Sequence, residues 1–178
     1  MSLRPMALGG AYRLLEPGPV VMITTAQGAR RNVMTLSWQT MIDFEPPLVG
    51  VVISNRDFTF GLIEATRECV IALPTVELAK LVVDVGNTSG RDIDKFASFG
   101  IATARASRVR APLLRDCQAN FECKVIDITL VQKYNLFILE VVKAWRNSAF
   151  RQPRTIHHMG RGLFMVAGER IKLPSKMK

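Results

Sequence analysis

The sequence predicts a mainly β protein, a small β-barrel with a few helices inserted between its strands. Short runs rich in β-branched residues recur along the chain and are separated by turn residues. Apolar residues at helical spacing are confined to short stretches in the middle of the chain. Alternating βαβ units fit this pattern less well than a barrel with appended helices.

The individual elements follow from local patterns. The predicted strands are residues 19–25, 32–38, 48–54, 68–73, 101–104, 120–131 and 136–145. The first two are expected to form a hairpin, and the third follows Glu45-Pro46-Pro47, which cannot propagate a helix. The predicted helices are residues 58–66, 75–86 and 92–98. Asn55 or Asp57 is available to cap the first helix, and Glu77 suits the dipole of the second.

The last long pair of strands carries two further signals. Apolar residues alternate up to Val125 and then continue on the opposite phase from Ile126, which predicts a β-bulge of the kind that a closing barrel requires. Its partner, residues 136–145, is apolar on both faces. An antiparallel strand of that kind is expected to be covered on both sides, by a helix or by another subunit.

Length and composition restrict the class of protein. The chain has 178 residues, of which 48% are hydrophobic and 22% charged, so we expect a single globular domain spanning residues 1–178. No apolar run is long enough to cross a bilayer, and no secretory signal is recognisable. The 3 cysteines form no Cys-x-x-Cys pair, so we expect core thiols in a reducing cytoplasm, without a disulfide scaffold or a metal site.

The chain is basic, with 24 Lys+Arg against 15 Asp+Glu and a formal net charge of +9. The cations concentrate in residues 105–115 and in a tail containing Arg170, Lys172, Lys176 and Lys178. Neither stretch has interleaved aromatic residues, so solubility explains this charge better than nucleic-acid binding does. A basic nucleic-acid-binding barrel is kept as an alternative.

A first candidate site lies where a strand gives way to a helix, at Ser54-Asn55-Arg56-Asp57-Phe58-Thr59. Free backbone amides and the positive end of a helix dipole meet at such a junction. Hydroxyl groups of Ser54 and Thr59, together with the Arg56 guanidinium, suit a dianionic phosphate. The alternative is that Asn55 and Asp57 cap the helix while Arg56 is simply solvated.

A second candidate is the segment Asn32-Val33-Met34-Thr35-Leu36-Ser37-Trp38, which places polar groups in an otherwise apolar strand. A flat heteroaromatic ligand could pair with Thr35 and Ser37 and stack on Trp38. Alternatively, the two hydroxyls face solvent and the indole lies in the core.

Both histidines of the chain fall in Arg154-Thr155-Ile156-His157-His158. Neighbouring histidines on a strand point to opposite faces, so a shared metal ion is not expected. A lone histidine as proton donor or substrate contact, or two structural residues, remain the alternatives.

Several of these motifs, taken in order, resemble the flavin reductase-like, FMN-binding split-barrel family, and within it the flavoredoxins. The matching segments are residues 32–38, Glu45-Pro46-Pro47-Leu48-Val49, residues 53–60, Ser89-Gly90-Arg91-Asp92-Ile93-Asp94-Lys95-Phe96 and residues 154–158. The match extends from about Tyr12 to about Pro174. Its implied fold is an FMN-binding split β-barrel.

The resemblance also implies a homodimer with FMN at the subunit interface. In that arrangement the flavin ring lies along Met34 to Trp38 and the phosphate meets Ser54, Arg56 and Thr59. The complete set of implied FMN contacts is Asn32, Met34, Thr35, Leu36, Ser37, Trp38, Ser54, Asn55, Arg56, Thr59 and Lys95. His157 is a candidate for contact with the nicotinamide or substrate, and no catalytic residue is otherwise implied.

The function implied by the resemblance is an oxidoreductase that passes electrons from NAD(P)H through bound FMN to a flavin or a related acceptor. The alternative is an FMN electron carrier that exchanges electrons with protein partners and has little nicotinamide activity. Because the chain has no separate dinucleotide-binding domain, any nicotinamide site must be an open groove.

Overall fold

The computed structural model describes residues 3–15 and 17–175. Its main sheet has eight strands, with the order β3-β2-β6-β9-β10-β5-β4 and with β1 also paired to β10. These strands are β1 Leu3–Met6, β2 Val21–Gln27, β3 Arg30–Leu36, β4 Gln39–Phe44, β5 Pro47–Val52, β6 Glu68–Leu73, β9 Ala119–Asp127 and β10 Leu136–Asn147. The chain passes from β3 into β4 within two residues, so the two ends of the sheet meet there and the sheet curves into a barrel.

Smaller elements are inserted between these strands. The short strands are β7 Thr103–Ala104, β8 Leu113–Leu114, β11 Ile156–Gly160 and β12 Leu163–Val166. The helices are α1 Tyr12–Leu15, α2 Phe58–Thr66, α3 Ala79–Gly86, α4 Lys95–Ser98 and α5 Val131–Tyr134, and the turns Leu8–Gly10 and Val76–Leu78 are 3-10 helical. The expectation of a mainly β protein with inserted helices is confirmed.

Two register predictions are also confirmed. Strands β2 and β3 form an antiparallel hairpin, each arm two residues away from its predicted position, and Gly28 adopts a positive φ in the turn. In the β9–β10 pair, Ile138 lies opposite Asp127 and Leu139 opposite Val125. Ile126 is therefore the extra residue of a bulge at the predicted phase change.

Other boundaries were wrong in identifiable ways. The strand predicted to reach residue 131 ends at Asp127, and residues 131–134 form the helix α5. Strand 101–104 is reduced to two residues, and the helix predicted over 92–98 starts only at Lys95, with Asp94 as its cap. Strands β1, β4, β8, β11 and β12 were not predicted, because each is short, and in β1, β4 and β11 polar or charged residues also interrupt the apolar ones.

The apolar core divides between the barrel interior and the space beneath the helices. Ile23, Phe121 and Phe137 lie in the barrel cluster, and all three are fully buried. Val82 and Val85 of α3 pack in a second cluster that also contains Phe96. Because these contacts fix α3 and α4 beside β3, the edge strand of the sheet is bordered by helices on one side.

Strand β10 is buried on its inner face and only partly covered on its outer face by the described chain. Phe137 and Leu139 are buried, whereas Leu136 and Ile138 on the opposite face are only half-buried. The described chain therefore covers this face only in part, and the cover by a helix or by another subunit stays a prediction. No helix among these residues is long and apolar enough to cross a membrane. Lys176 and Lys178 of the basic tail lie outside the described residues.

Candidate functional site

A cleft opens between the edge strand β3, the start of α2 and the loop that follows α3. Its inner part is a cavity of about 400 Å³. Asn32, Met34 and Thr35 of β3 line it, as do residues 56–59 and 85–91 and the side chain of Lys95. The structure thus brings together two segments that were predicted separately, the polar strand and the strand-to-helix junction.

The cleft continues along β3 as a second cavity of about 440 Å³. The two cavities share Met34, Thr35 and Asp57. The second is also lined by Leu36, Ser37, Trp38, Val52, Ser54 and Asn135. Trp38 is 71% exposed, which rules out the alternative that its indole lies in the core. One continuous cleft therefore runs from the loop 86–91 to an exposed indole.

Asn32 joins the strand to the helix inside the cleft. Its Nδ2 donates to the Thr59 hydroxyl oxygen at 2.8 Å, and both residues are buried. With that oxygen accepting, the hydroxyl hydrogen of Thr59 is free to be donated elsewhere. Asn32 Oδ1 is buried without a hydrogen-bond partner among the described residues. A buried acceptor of this kind indicates a donor supplied from outside the chain.

Gly90 lies directly against the Asn32 amide. A Cβ at position 90 would lie 2.1 Å from Asn32 Oδ1 and 2.9 Å from Phe58 Cδ1. Any side chain there would displace one of these groups, so the loop can pass this close to β3 only with glycine. The absence of a side chain lets the loop pack directly over the buried Asn32 amide.

Lys95 supplies a buried positive charge to the same cavity. Its ammonium group donates to the main-chain oxygens of Val33, at 3.0 Å, and Val85, at 2.8 Å. One of its three N–H donors remains for a further acceptor. Burial lowers the pKa of Lys95, and the nearby negative charge of Asp57 opposes that effect.

Arginines lie around the inner cavity, at the end of the cleft away from Trp38. Arg91 donates from Nη1 to the main-chain oxygen of Arg56 at 3.0 Å. The guanidinium carbons of Arg30 and Arg91 lie 5.3 Å and 5.8 Å from the centre of the Phe58 ring. Among the described residues no carboxylate lies within 4.0 Å of the guanidinium groups of Arg30, Arg56 and Arg91. The positive charge at this end of the cleft is therefore available to an anion.

The start of α2 is not capped as the alternative interpretation required. Asp57 occupies the cap position, but its side chain makes no hydrogen bond to the helix. Ser54 Oγ accepts from the Arg56 amide at 3.2 Å, which orders the turn before the helix. Asn55 is exposed and lines neither cavity. The first-turn amides of α2 consequently receive no side-chain acceptor from the residue at the cap.

Two other predicted residues have partners within the chain. Thr35 donates its hydroxyl hydrogen to the main-chain oxygen of Val82 at 2.6 Å, so this hydroxyl can only accept from a ligand. His157 contacts the Gly18 oxygen through Nδ1 and the Thr155 hydroxyl through Nε2, both at 3.2 Å. It lines neither cavity of the cleft in this chain, and its contact with a nicotinamide or substrate stays a prediction.

The predicted FMN contacts did not include Phe58 or the loop 86–91, although Phe58 lies in the first candidate segment and Ser89-Gly90-Arg91 in a segment that carries the resemblance. Gly86-Asn87-Thr88-Ser89-Gly90-Arg91 supplies most of one wall of the inner cavity. The signal was present as a run of small polar residues and glycines directly after a helix, a composition typical of loops that approach a ligand.

Comparison with known proteins gives consistent matches. The family model described as flavin reductase like domain matches residues 13–165. The Escherichia coli (strain K12) protein YddH is 36% identical over 94% of this chain and 96% of its own length. An Archaeoglobus fulgidus protein is 34% identical over 69% of this chain and 70% of its own length.

Solved structures show the same similarity. An FMN-binding domain of a flavin reductases-like enzyme from Shewanella baltica OS155 superposes with a TM-score of 0.90 at 29% identity, covering 97% of this chain and 98% of that chain. The flavoredoxin of Desulfovibrio vulgaris (Miyazaki F) has a TM-score of 0.79 at 21% identity over 89% of this chain and 91% of its own, a similarity of fold.

Proposed function

This chain belongs to the flavin reductase-like domain family, and we propose that it binds FMN in the cleft and passes electrons from NAD(P)H to a flavin or another acceptor. Its fold is the split β-barrel of that family. The observation that carries the proposal is the buried, unpartnered Oδ1 of Asn32 inside a cleft lined by cations. FMN combines a hydroxylated ribityl chain with a terminal phosphate, and these residues fit both parts.

The inner cavity suits the phosphate and the ribityl chain. The first-turn amides of α2, the Thr59 hydroxyl and the Arg56 guanidinium are donors at the start of the helix. Lys95 and Arg91 add positive charge from the opposite wall. Asn32 Oδ1 is an acceptor, which a phosphate oxygen cannot satisfy but a ribityl hydroxyl can. The cavity therefore has donors for an anion and an acceptor for the neighbouring alcohol.

The outer cavity suits the ring. Strand β3 is the last strand of the sheet, so alternate main-chain groups along it point away from β2. Lys95 binds the outward-pointing oxygen of Val33, and by the same alternation the amides of Thr35 and Ser37 point outward, towards the cleft. These amides would hydrogen-bond the polar edge of the isoalloxazine, while Met34 and Trp38 border its face. FMN, when bound, supplies the redox chemistry, and the chain supplies orientation and a positive environment.

The uncovered sheet face supports a homodimer. Ile42 and Leu136 meet above Gly50, where a Cβ would lie 3.2 Å and 3.4 Å from their Cδ1 atoms. Ile42 is 51% exposed, and Ile138 beside it is half-buried. This apolar face adjoins the outer cavity through Val52, so a second copy placed on it would also enclose the ring.

The dimer is tested by sedimentation velocity. Ile42→Asp places a charge on the apolar face and is expected to give monomers that release FMN. Ile171→Asp, a change at a residue 78% exposed on the C-terminal segment, is the matched control and should leave the dimer intact. A wild-type protein that sediments as a monomer while retaining FMN would contradict the dimer proposal.

The redox role is tested by mixing the purified yellow protein anaerobically with NADH or with NADPH. Prompt loss of the flavin absorbance with either nicotinamide supports the reductase. No loss with either, but loss with reduced ferredoxin, supports the electron carrier instead. A colourless protein that does not bind added FMN would contradict both.

A further inference from the structure

The connection between β7 and β8 carries arginines on a firmly held backbone. We call residues 105–110 the arginine loop. Arg105, Arg108 and Arg110 are exposed, while Ala106 and Val109 are buried in a small apolar cluster beneath them. The loop is therefore fixed to the barrel through its small apolar residues and presents its arginines to solvent.

A fully buried carboxylate holds the middle of the loop. Glu122 of β9 accepts the amides of Ser107, at 3.0 Å, of Arg108, and of Val109, at 3.1 Å. It also accepts the Ser107 hydroxyl at 3.1 Å and the indole N–H of Trp145 at 2.7 Å. Burial by itself raises the pKa of Glu122, but these hydrogen bonds outweigh it and the pKa lies below its ordinary value.

A second carboxylate holds the end of the loop. Glu68 of β6, 4% exposed, accepts the Arg110 amide at 2.8 Å, the Arg110 Nε at 3.0 Å and the Lys124 ammonium. Its pKa is also lowered, although burial opposes that change. Together, Glu68 and Glu122 use the amides of residues 107–110. These four amides are therefore not available to a partner, whereas the exposed arginine side chains are.

The exposed guanidinium groups of the loop differ in their partners, since that of Arg110 is bound to Glu68. Among residues 3–15 and 17–175, no carboxylate lies within 4.0 Å of the guanidinium of Arg105 or Arg108. The loop and Glu68 border a concavity of about 410 Å³. Lys143, which lies 5.4 Å from the centre of the Trp145 ring, extends the positive surface along β10. Glu140, opposite Lys124 in the sheet, is the acidic residue at its border.

We propose that the arginine loop is a docking site for a partner protein that presents a cluster of Asp or Glu side chains. A guanidinium binds a carboxylate through two parallel hydrogen bonds, and a backbone already held by Glu68 and Glu122 loses little entropy on binding. Nucleic acid is disfavoured because base stacking needs an open aromatic face. Trp145 is half-buried, its indole N–H is bound to Glu122, and Lys143 lies over its ring. None of these residues lines either cavity of the cleft.

The test measures binding of a fluorescent oligoglutamate peptide to the full chain by anisotropy, at several salt concentrations. The double variant Arg105→Glu/Arg108→Glu is compared with Arg151→Glu/Lys172→Glu, which changes the net charge equally at exposed residues elsewhere. The bonds to Glu122 come from the backbone and from Ser107, so the loop variant is expected to fold. If thermal unfolding shows otherwise, Arg105→Gln/Arg108→Gln replaces it.

We expect the loop variant to bind the peptide about tenfold more weakly than wild type, with a smaller salt dependence, and the control variant to stay within about twofold. FMN content should be unchanged in both variants, which separates this result from the flavin proposal. Equal losses in the two variants would show attraction to net charge alone and would overturn the proposal. An oligonucleotide of the same length that binds more tightly than the peptide would also overturn it, in favour of nucleic acid.

Discussion

Replacing Gly90 by alanine tests whether the loop after α3 is held against the Asn32 amide. The added Cβ would lie 2.1 Å from Asn32 Oδ1, 2.7 Å from its Cγ and 2.9 Å from Phe58 Cδ1. Neither neighbour moves freely. Asn32 is 2% exposed and bonded to Thr59, and Phe58 lies between two guanidinium groups. The loop must therefore move outward by about 1 Å, or the Asn32 side chain must turn away from Thr59.

Both outcomes are costly. Forcing an extra methyl group into a packed site costs about 1–3 kcal/mol, and a lost hydrogen bond accounts for about 1 kcal/mol within that range. We expect the free energy of unfolding to fall by about 1–3 kcal/mol. We also expect FMN affinity to fall about tenfold or more, because the same displacement moves the acceptor and the hydroxyl that face the ribityl chain and the phosphate.

Urea unfolding of the FMN-free protein and a fluorescence titration with FMN measure the two quantities. Gly61→Ala is the matched control, because nothing lies within 4 Å of a Cβ at that position in α2 and alanine is expected to stabilise the helix by about 0.5–1 kcal/mol. In an Asn32→Ala background the cost of Gly90→Ala should shrink, since the closest atoms are gone. If Gly90→Ala unfolds and binds FMN like wild type, the close approach described here is wrong.

Three further changes probe the charges. Arg56→Ala should weaken FMN binding about 10- to 100-fold, and more than Trp38→Phe does, because it removes a charged donor to phosphate; equal affinity of Arg56→Ala and wild type would refute the assignment. Lys95→Met should lower the free energy of unfolding in urea by about 1–3 kcal/mol, since two buried main-chain oxygens lose their donor. Lys95→Arg should restore part of the loss, and a Met variant as stable as wild type would contradict that role. The pKa of Glu122 is lower in the folded than in the unfolded protein, so its carboxylate stabilises the fold above its ordinary pKa of 4.5, and this stabilisation is lost as the pH falls through the folded pKa. The difference in unfolding free energy between wild type and Glu122→Gln should therefore shrink below about pH 4.5, and a constant difference would show that the carboxylate charge plays no part.

Local pattern was sufficient for much of the fold. The β2–β3 hairpin and the bulge at Ile126 were predicted because strand alternation has a period of two and a slip is visible within a few residues. Strand β4 was missed because Gln39, Thr40 and Asp43 obscure its alternation of apolar and polar residues. Its pairing with β5 forms it as a strand, and that pairing is not visible in the local sequence.

The candidate site was likewise predictable from the sequence in part only. Its two segments, residues 32–38 and residues 54–59, are recognisable in the sequence as polar groups placed where a strand and a helix expose backbone donors. Their convergence on one ligand is implied only by the family resemblance, because local pattern does not bring distant segments together. The bond from Asn32 to Thr59 spans 27 residues, and Lys95 reaches Val33 across 62.

The sequence by itself therefore determined which chemical groups this protein offers and the class of fold that carries them, because hydrophobic period and turn chemistry are local properties. Only the tertiary structure decided that Thr35 donates its hydroxyl hydrogen to α3 and that Gly90 must lack a side chain. The same holds for the two glutamates that hold the backbone of the arginine loop. Each of these depends on a distance between residues far apart in the chain, and such distances are set by how the elements pack together.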